Sequence, residues 1–83
     1  MLTTSRHTRI LKVFGAVLKR RRIERYSSAE SFAQKLGIEP HTYRKYERGE
    51  TEPNFETLTR ICEDLGLTPN DLLPAARGQN RAS

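Results

Sequence analysis

Apolar residues recur along this chain at three- and four-residue intervals, broken by glycine and proline, and the strict alternation of a half-buried strand is absent. From about Thr8, the positions Leu11, Phe14, Val17 and Leu18 form one helical stripe that continues to about Arg25, with Thr8 as its N-cap. Gly15 weakens that helix near its middle. A second stripe of Ala29, Phe32, Ala33 and Leu36 leaves Glu30, Ser31, Gln34 and Lys35 outside. Ser27 and Ser28 compete to cap it, Ser27 by forming a capping box with Glu30. Gly37 stands where a helix ends in a left-handed residue, Ile38 anchors the turn against the core, and Pro40 restarts the helix. The third helix closes at Arg48-Gly49-Glu50, and an extended connector runs on to Pro53. Asn54 caps a fourth helix whose buried stripe is Phe55, Leu58, Ile61, Cys62 and Leu65, ending at Gly66. Thr68-Pro69-Asn70-Asp71 opens a short fifth helix through Leu72 and Leu73, which Pro74 ends. The pattern predicts an all-α domain over residues 9–73, between a flexible N-terminal arm at 1–8 and a flexible polar tail at 74–83.

The third helix carries the first hint of chemistry. On a helical wheel from Pro40, residues His41, Arg44, Lys45 and Arg48 fall within roughly 100° of one another, with Tyr43, Tyr46 and Glu47 on the opposite side. One side can be buried while the other meets an anion. The net charge of +5 points the same way, and its distribution says more than its total. Residues 1–25 hold eight Lys or Arg against the single acid Glu24, residues 26–50 balance four against four, and residues 51–83 hold three against five. The run Lys19 to Arg22 fans out around a helix, which makes it a solvated face with one inward member.

Other chemistries fare worse. Cys62 is the only cysteine, so it forms no internal disulfide, and with no signal-peptide-like start this predicts a reducing cytoplasm. It has no His on its own helix to activate it, which makes it a packing residue. His7 and His41 lack Cys or carboxylate partners at ligand spacing, so no metal or other cofactor is expected. Acids and histidines are dispersed over helix surfaces with no nucleophile-base motif and no glycine-rich phosphate loop, which argues against an enzyme. No apolar run approaches the roughly 18 residues needed to cross a bilayer.

Five short helices in this order, with SFAQKLGI, TYRKYERGE and NDLL at these spacings, resemble the Cro/C1-type helix-turn-helix family, also called XRE-like regulators. The resemblance spans about residues 10–73, and its most specific part is the set Ala33, Gly37, Glu47, Gly49 and Pro53. It implies a compact five-helix lambda-repressor-like DNA-binding domain whose second helix, about 28–36 with Ser28 as cap, spans the DNA backbone. The third, about 40–47, would lie in the major groove of double-stranded DNA as the recognition helix. Carried over by position, the resemblance makes Pro40, His41 and Lys45 base-contacting, with Arg44 beside them, and Ser28, Thr42 and Arg48 phosphate-contacting. It also pairs an inward Arg22 with Glu47, and a slip of one residue would nominate Arg21 instead. Ala29 stands where many members carry a bracing Gln, so the brace is either missing or supplied by Lys35 or Gln34.

These expectations describe a cytoplasmic, nucleoid-associated, repressor-like transcriptional regulator that acts as a homodimer on a near-palindromic operator. Leu67, Leu72 and Leu73 are candidates for the dimer surface or for capping the monomer core. A rival from another class is an antitoxin or anti-regulator that holds a protein partner through the acids Glu63, Asp64 and Asp71. A third is a nonspecific nucleoid binder.

Overall fold

Eighteen consecutive residues from Arg6 wind into a single helix, and in the computed structural model, which describes residues 6–72, three of the four shorter helices that follow pack against it, while the fourth helix of the chain packs on the second and the fifth. In chain order they are α1 (Arg6–Ile23), α2 (Ala29–Leu36), α3 (Pro40–Arg48), α4 (Phe55–Leu65) and α5 (Pro69–Leu72). α1 begins two residues ahead of the expected cap Thr8, so its first turn occupies part of the stretch read as an arm. It ends at Ile23 rather than Arg25, where the N–H groups of Glu24 and Arg25 bond to carbonyls three residues back, Arg21 O at 3.2 Å and Arg22 O at 2.9 Å. Leu73, Pro74 and the expected tail lie outside the described residues, as do residues 1–5.

The caps follow from side-chain chemistry. Of the two competing serines, Ser28 caps α2, its Oγ accepting the Ser31 N–H at 3.0 Å. Asn54 Oδ1 does the same for Thr57 N–H at 2.8 Å on α4. At α5, Asp71 Oδ2 accepts from the Thr68 N–H (3.0 Å) and hydroxyl (3.2 Å), which closes the box from the helix side. Satisfying these otherwise orphaned N–H groups is what allows helices of four to eleven residues to persist.

One core joins all five helices. Phe14, Val17 and Leu18 from α1 meet Phe32, Ala33 and Leu36 from α2, Tyr43 and Tyr46 from α3, Ile61, Cys62 and Leu65 from α4, and Leu72 from α5. Leu72 is fully buried, so it belongs to the monomer core and is not free to form a dimer surface, and Leu67 packs partly against the same core. One position in the expected stripes fails. Phe55 is 81% exposed and Leu58 only half-buried, so α4 is covered from Ile61 onward while its first turn projects past its neighbours.

Gly15 marks the closest approach of α1 to α3. A Cβ there would lie 2.5 Å from the Glu47 carbonyl oxygen and 2.7 Å from that of Tyr46, both backbone atoms that cannot swing aside. Intrinsic propensity favours Ala over Gly by about 1 kcal/mol inside a helix, yet overpacking of this kind typically costs about 1–3 kcal/mol and at backbone contact more. Gly15→Ala is therefore expected to destabilise the fold despite its better helix propensity, seen as a lower denaturant midpoint with an unchanged slope. A variant as stable as the parent would show that the two helices can part without cost.

Candidate nucleic-acid interface

α2 and α3 meet across a three-residue turn that sets their relative direction. Gly37 adopts φ 76° and ψ 28°, its N–H bonding to Gln34 O and that of Ile38 to Ala33 O at 2.9 Å. This left-handed residue is the reason for a glycine at the turn. Ile38 then packs against the core, and Glu39 with Pro40 opens α3. Glu39 is the N-cap, its Oε1 accepting from the Thr42 N–H at 3.1 Å and the Thr42 hydroxyl at 3.3 Å.

The inward side of α3 is aromatic and ionic. Tyr43 is fully buried and Tyr46 nearly so, with Phe32 and Tyr43 edge to face at 5.4 Å and Tyr43 and Tyr46 at 6.1 Å. Beside them Arg22, only 5% exposed, meets Glu47 as a two-pronged fork: Nε donates to Oε2 at 2.9 Å and Nη2 to Oε1 at 3.0 Å. Its Nη1 donates to the Tyr26 carbonyl at 3.2 Å, and the Tyr43 hydroxyl donates to Glu47 Oε2 at 2.6 Å. Arg21 is half-exposed, so Arg22 is the inward arginine. The fork bolts α3 to α1, and the bond that Arg22 donates to Glu47 holds its guanidinium above the ordinary range.

Burial first, and then the bond to Glu47, push the Tyr43 hydroxyl well above the ordinary phenol value of about 10. In the unfolded chain this phenol ionises near pH 10, whereas in the folded chain it keeps its proton. Its contribution is thus complete below about pH 10 and is lost as pH rises beyond. Unfolding measured on either side of about pH 10 is expected to show stability falling with alkali, with a shallower fall in Tyr43→Phe. An identical slope in that variant would place the alkaline loss elsewhere.

The outward side of α3 is cationic. His41, Arg44 and Arg48 are exposed, and Pro40, Thr42 and Lys45 are partly so. The fold thus brings six of the seven residues expected to face DNA onto one short helix, and Ser28 stands exposed at the cap of α2. Three of the seven are already engaged within the chain, Ser28 Oγ by the capping bond that it accepts from the Ser31 N–H. Thr42 is held by Glu39, and Arg48 donates through Nε and Nη2 to Glu50 at 2.9 and 3.3 Å. Ala29 brings no polar group to the first turn of α2, while Gln34 and Lys35 stand exposed at its end.

Three residues near this face escape a reading of the sequence. Lys12, from α1, donates its Nζ to the Arg48 carbonyl at 3.2 Å and so adds a cation to the C-terminal end of α3. Glu39 was legible only as the residue before Pro40, because Glu ranks below Ser, Thr, Asp and Asn as a cap. Glu50 was legible only as the end of a helix. On α4, Cys62 is buried, and burial with the nearby Asp71 and Glu63 carboxylates raises its thiol, the environment of an inert packing residue.

Comparison with known proteins adds to this geometry. A helix-turn-helix family profile matches residues 18–72. A prophage-derived, uncharacterised HTH-type transcriptional regulator of Bacillus subtilis, YonR, is 37% identical over 67 residues, which cover 81% of this chain and 62% of that protein. The transcriptional repressor RstR of a cryptic phage of Vibrio cholerae is 28% identical over 61 residues, covering 74% of this chain and 55% of RstR. The chain thus spans little more than half the length of these relatives. The crystal structure of the clp gene regulator ClgR from C. glutamicum superposes with a TM-score of 0.73 at 24% identity, covering 94% of this chain and 96% of that one, which shows a shared fold. With its profile match over most of the helical domain, the chain belongs to the Cro/C1-type helix-turn-helix family, and its fold is that of a DNA-binding module and not of an enzyme.

Proposed function

We propose that this protein is a repressor-like transcriptional regulator that binds double-stranded DNA as a homodimer at a near-palindromic operator. The observation that carries this reading is the division of α3: Tyr43 and Tyr46 are buried while His41, Arg44 and Arg48 are exposed on the other side. A duplex major groove admits one helix, and base edges there display distinct donor and acceptor patterns. A helix that presents polar side chains on one face suits it. Pro40, His41, Arg44 and Lys45 take the base-facing roles, Lys45 and Arg44 donating to guanine O6 and N7, and Pro40 offering apolar contact to a thymine methyl. Ser28, Thr42 and Arg48 meet phosphates and fix the register. One such module spans only a few base pairs, so two copies give useful selectivity, their helices entering successive major grooves about 34 Å apart. The repressor role draws support from the likeness to RstR, a transcriptional repressor. Such a protein works in the cytoplasm at the nucleoid.

Selection of bound duplexes from a random pool, followed by titration over a salt series, tests the reading. Recovery of an inverted repeat, bound with an affinity that falls steeply with salt, is the expected result. No recovered DNA, or an affinity indifferent to salt, would turn the case toward an antitoxin or anti-regulator that works through a protein partner. Asp71, one of the acids that such a partner would use, is already engaged in capping α5.

A further inference from the structure

Two glutamates three residues apart, Glu47 and Glu50, each hold an arginine by two prongs, yet the two pairs differ in kind. The Arg22–Glu47 side chains are 6% and 8% exposed, whereas those of Arg48 and Glu50 are 49% and 47% exposed. An exposed pair contributes little to folding, so stability gives no reason for a carboxylate in the middle of a cationic surface. Its surroundings are unusual for an acid. Glu50 stands in the field of Arg48, Lys12 and Lys45, and the bond from Arg48 above all holds its carboxyl below the usual range. Lys12 in turn is fixed to the Arg48 carbonyl. The C-terminal end of α3 thus gathers three cations about one anion, which is the arrangement a DNA phosphate would meet there.

We infer that Glu50 is an intramolecular stand-in for phosphate, a positioning residue that occupies Arg48 in the free protein and so restrains the affinity of α3 for the DNA backbone. The inference rests on the reading of α3 as the groove helix. A phosphate that takes the same two donors must displace the Glu50 carboxylate. A phosphate that takes the remaining edge of the guanidinium still lies within a Debye length of that carboxylate, about 8 Å at physiological salt. In either geometry the carboxylate opposes the contact. Backbone contacts supply essentially all of nonspecific binding, so the restraint keeps the protein from being held by unrelated DNA.

Glu50→Gln keeps the shape of the side chain and leaves the capping bond from the residue 50 N–H to Lys45 O in place, so the fold should survive. The test compares wild type, Glu50→Gln, Arg48→Gln and the double variant on the pool-selected duplex and on a mixed-sequence duplex, each over a salt series. Glu50→Gln is expected to bind both duplexes several-fold more tightly, with a slope of log affinity against log salt steeper by about 0.9, the increment for one more neutralised phosphate. In the Arg48→Gln background the gain should largely vanish. An equal gain in both backgrounds would make Glu50 a diffuse charge and overturn the inference. So would tighter binding by wild type than by Glu50→Gln, since Glu50 would then be aiming Arg48 at phosphate. If wild type shifts neither duplex, the groove-helix reading fails and takes this inference with it; if wild type binds with steep salt dependence and Glu50→Gln is no tighter, only the role of Glu50 falls.

Discussion

Arg22→Ala is expected to cost about 3–5 kcal/mol of folding stability, the range for removing one partner of a buried ion pair. The loss exceeds the worth of the bonds themselves. Glu47 is left as a buried carboxylate whose remaining side-chain donor is the Tyr43 hydroxyl, and the Tyr26 carbonyl loses its donor too. For a domain of this size, 1 kcal/mol shifts the melting temperature by about 4–8 °C, so the variant should melt at least about 12 °C lower or fail to fold. Arg21→Ala is the matched control, because Arg21 is half-exposed and takes no part in the fork, and it should melt close to the parent. Replacing Arg22 and Glu47 together by Met and Leu should restore much of the loss, since a well-packed apolar pair often equals or exceeds a buried ion pair. Equal, small losses for Arg21→Ala and Arg22→Ala in thermal melts would sink this account. The same experiment bears on the interface, because the fork sets how α3 lies against α1, and a loosened α3 would not present its outer face at one angle.

Periodicity made the helices legible because burial of a stripe is written at three- and four-residue spacing, and caps are written in single residues. Ser28, Gly37, Pro40, Asn54 and Gly66 each act where the chemistry of the residue type requires. What periodicity cannot show is whether a neighbour covers a given turn. Phe55 lies in register with Ile61, Cys62 and Leu65, yet it is exposed because none of the described residues covers it. Gly15 read as a weak point in a helix, whereas its purpose depends on backbone 31 and 32 residues further along the chain. Lys12 and Arg48 meet across 36 residues, a distance at which no local pattern operates. Arg48 and Glu50 are two apart, a spacing that does not pair on a helix, and they meet only because Gly49 turns the chain left-handed between them. The two-sided character of α3 was visible from the wheel alone, but the carboxylates that already occupy Thr42 and Arg48 were not.

Lys45→Ala should then separate the ways in which α3 can use its cationic face. Alanine is at least as good a helix former as lysine, and the capping bonds from the Gly49 and Glu50 N–H groups run to the backbone oxygens of Tyr46 and Lys45, so the fold should be retained. If Lys45 donates to a guanine edge, its loss costs about 1–3 kcal/mol of discrimination, roughly 5- to 150-fold in affinity for the selected duplex. The cost should be confined to one position of each half-site. A fresh pool selection with the variant should return the same inverted repeat with that base pair degenerate. Ser28→Ala, which touches no base in this scheme, should instead weaken all sequences alike. A nonspecific nucleoid binder would give the second pattern for both substitutions, because backbone contacts carry no sequence information. The deciding measurement is therefore the base preference recovered by each variant: uniform weakening by Lys45→Ala, with every base preference intact, would remove Lys45 from the reading face.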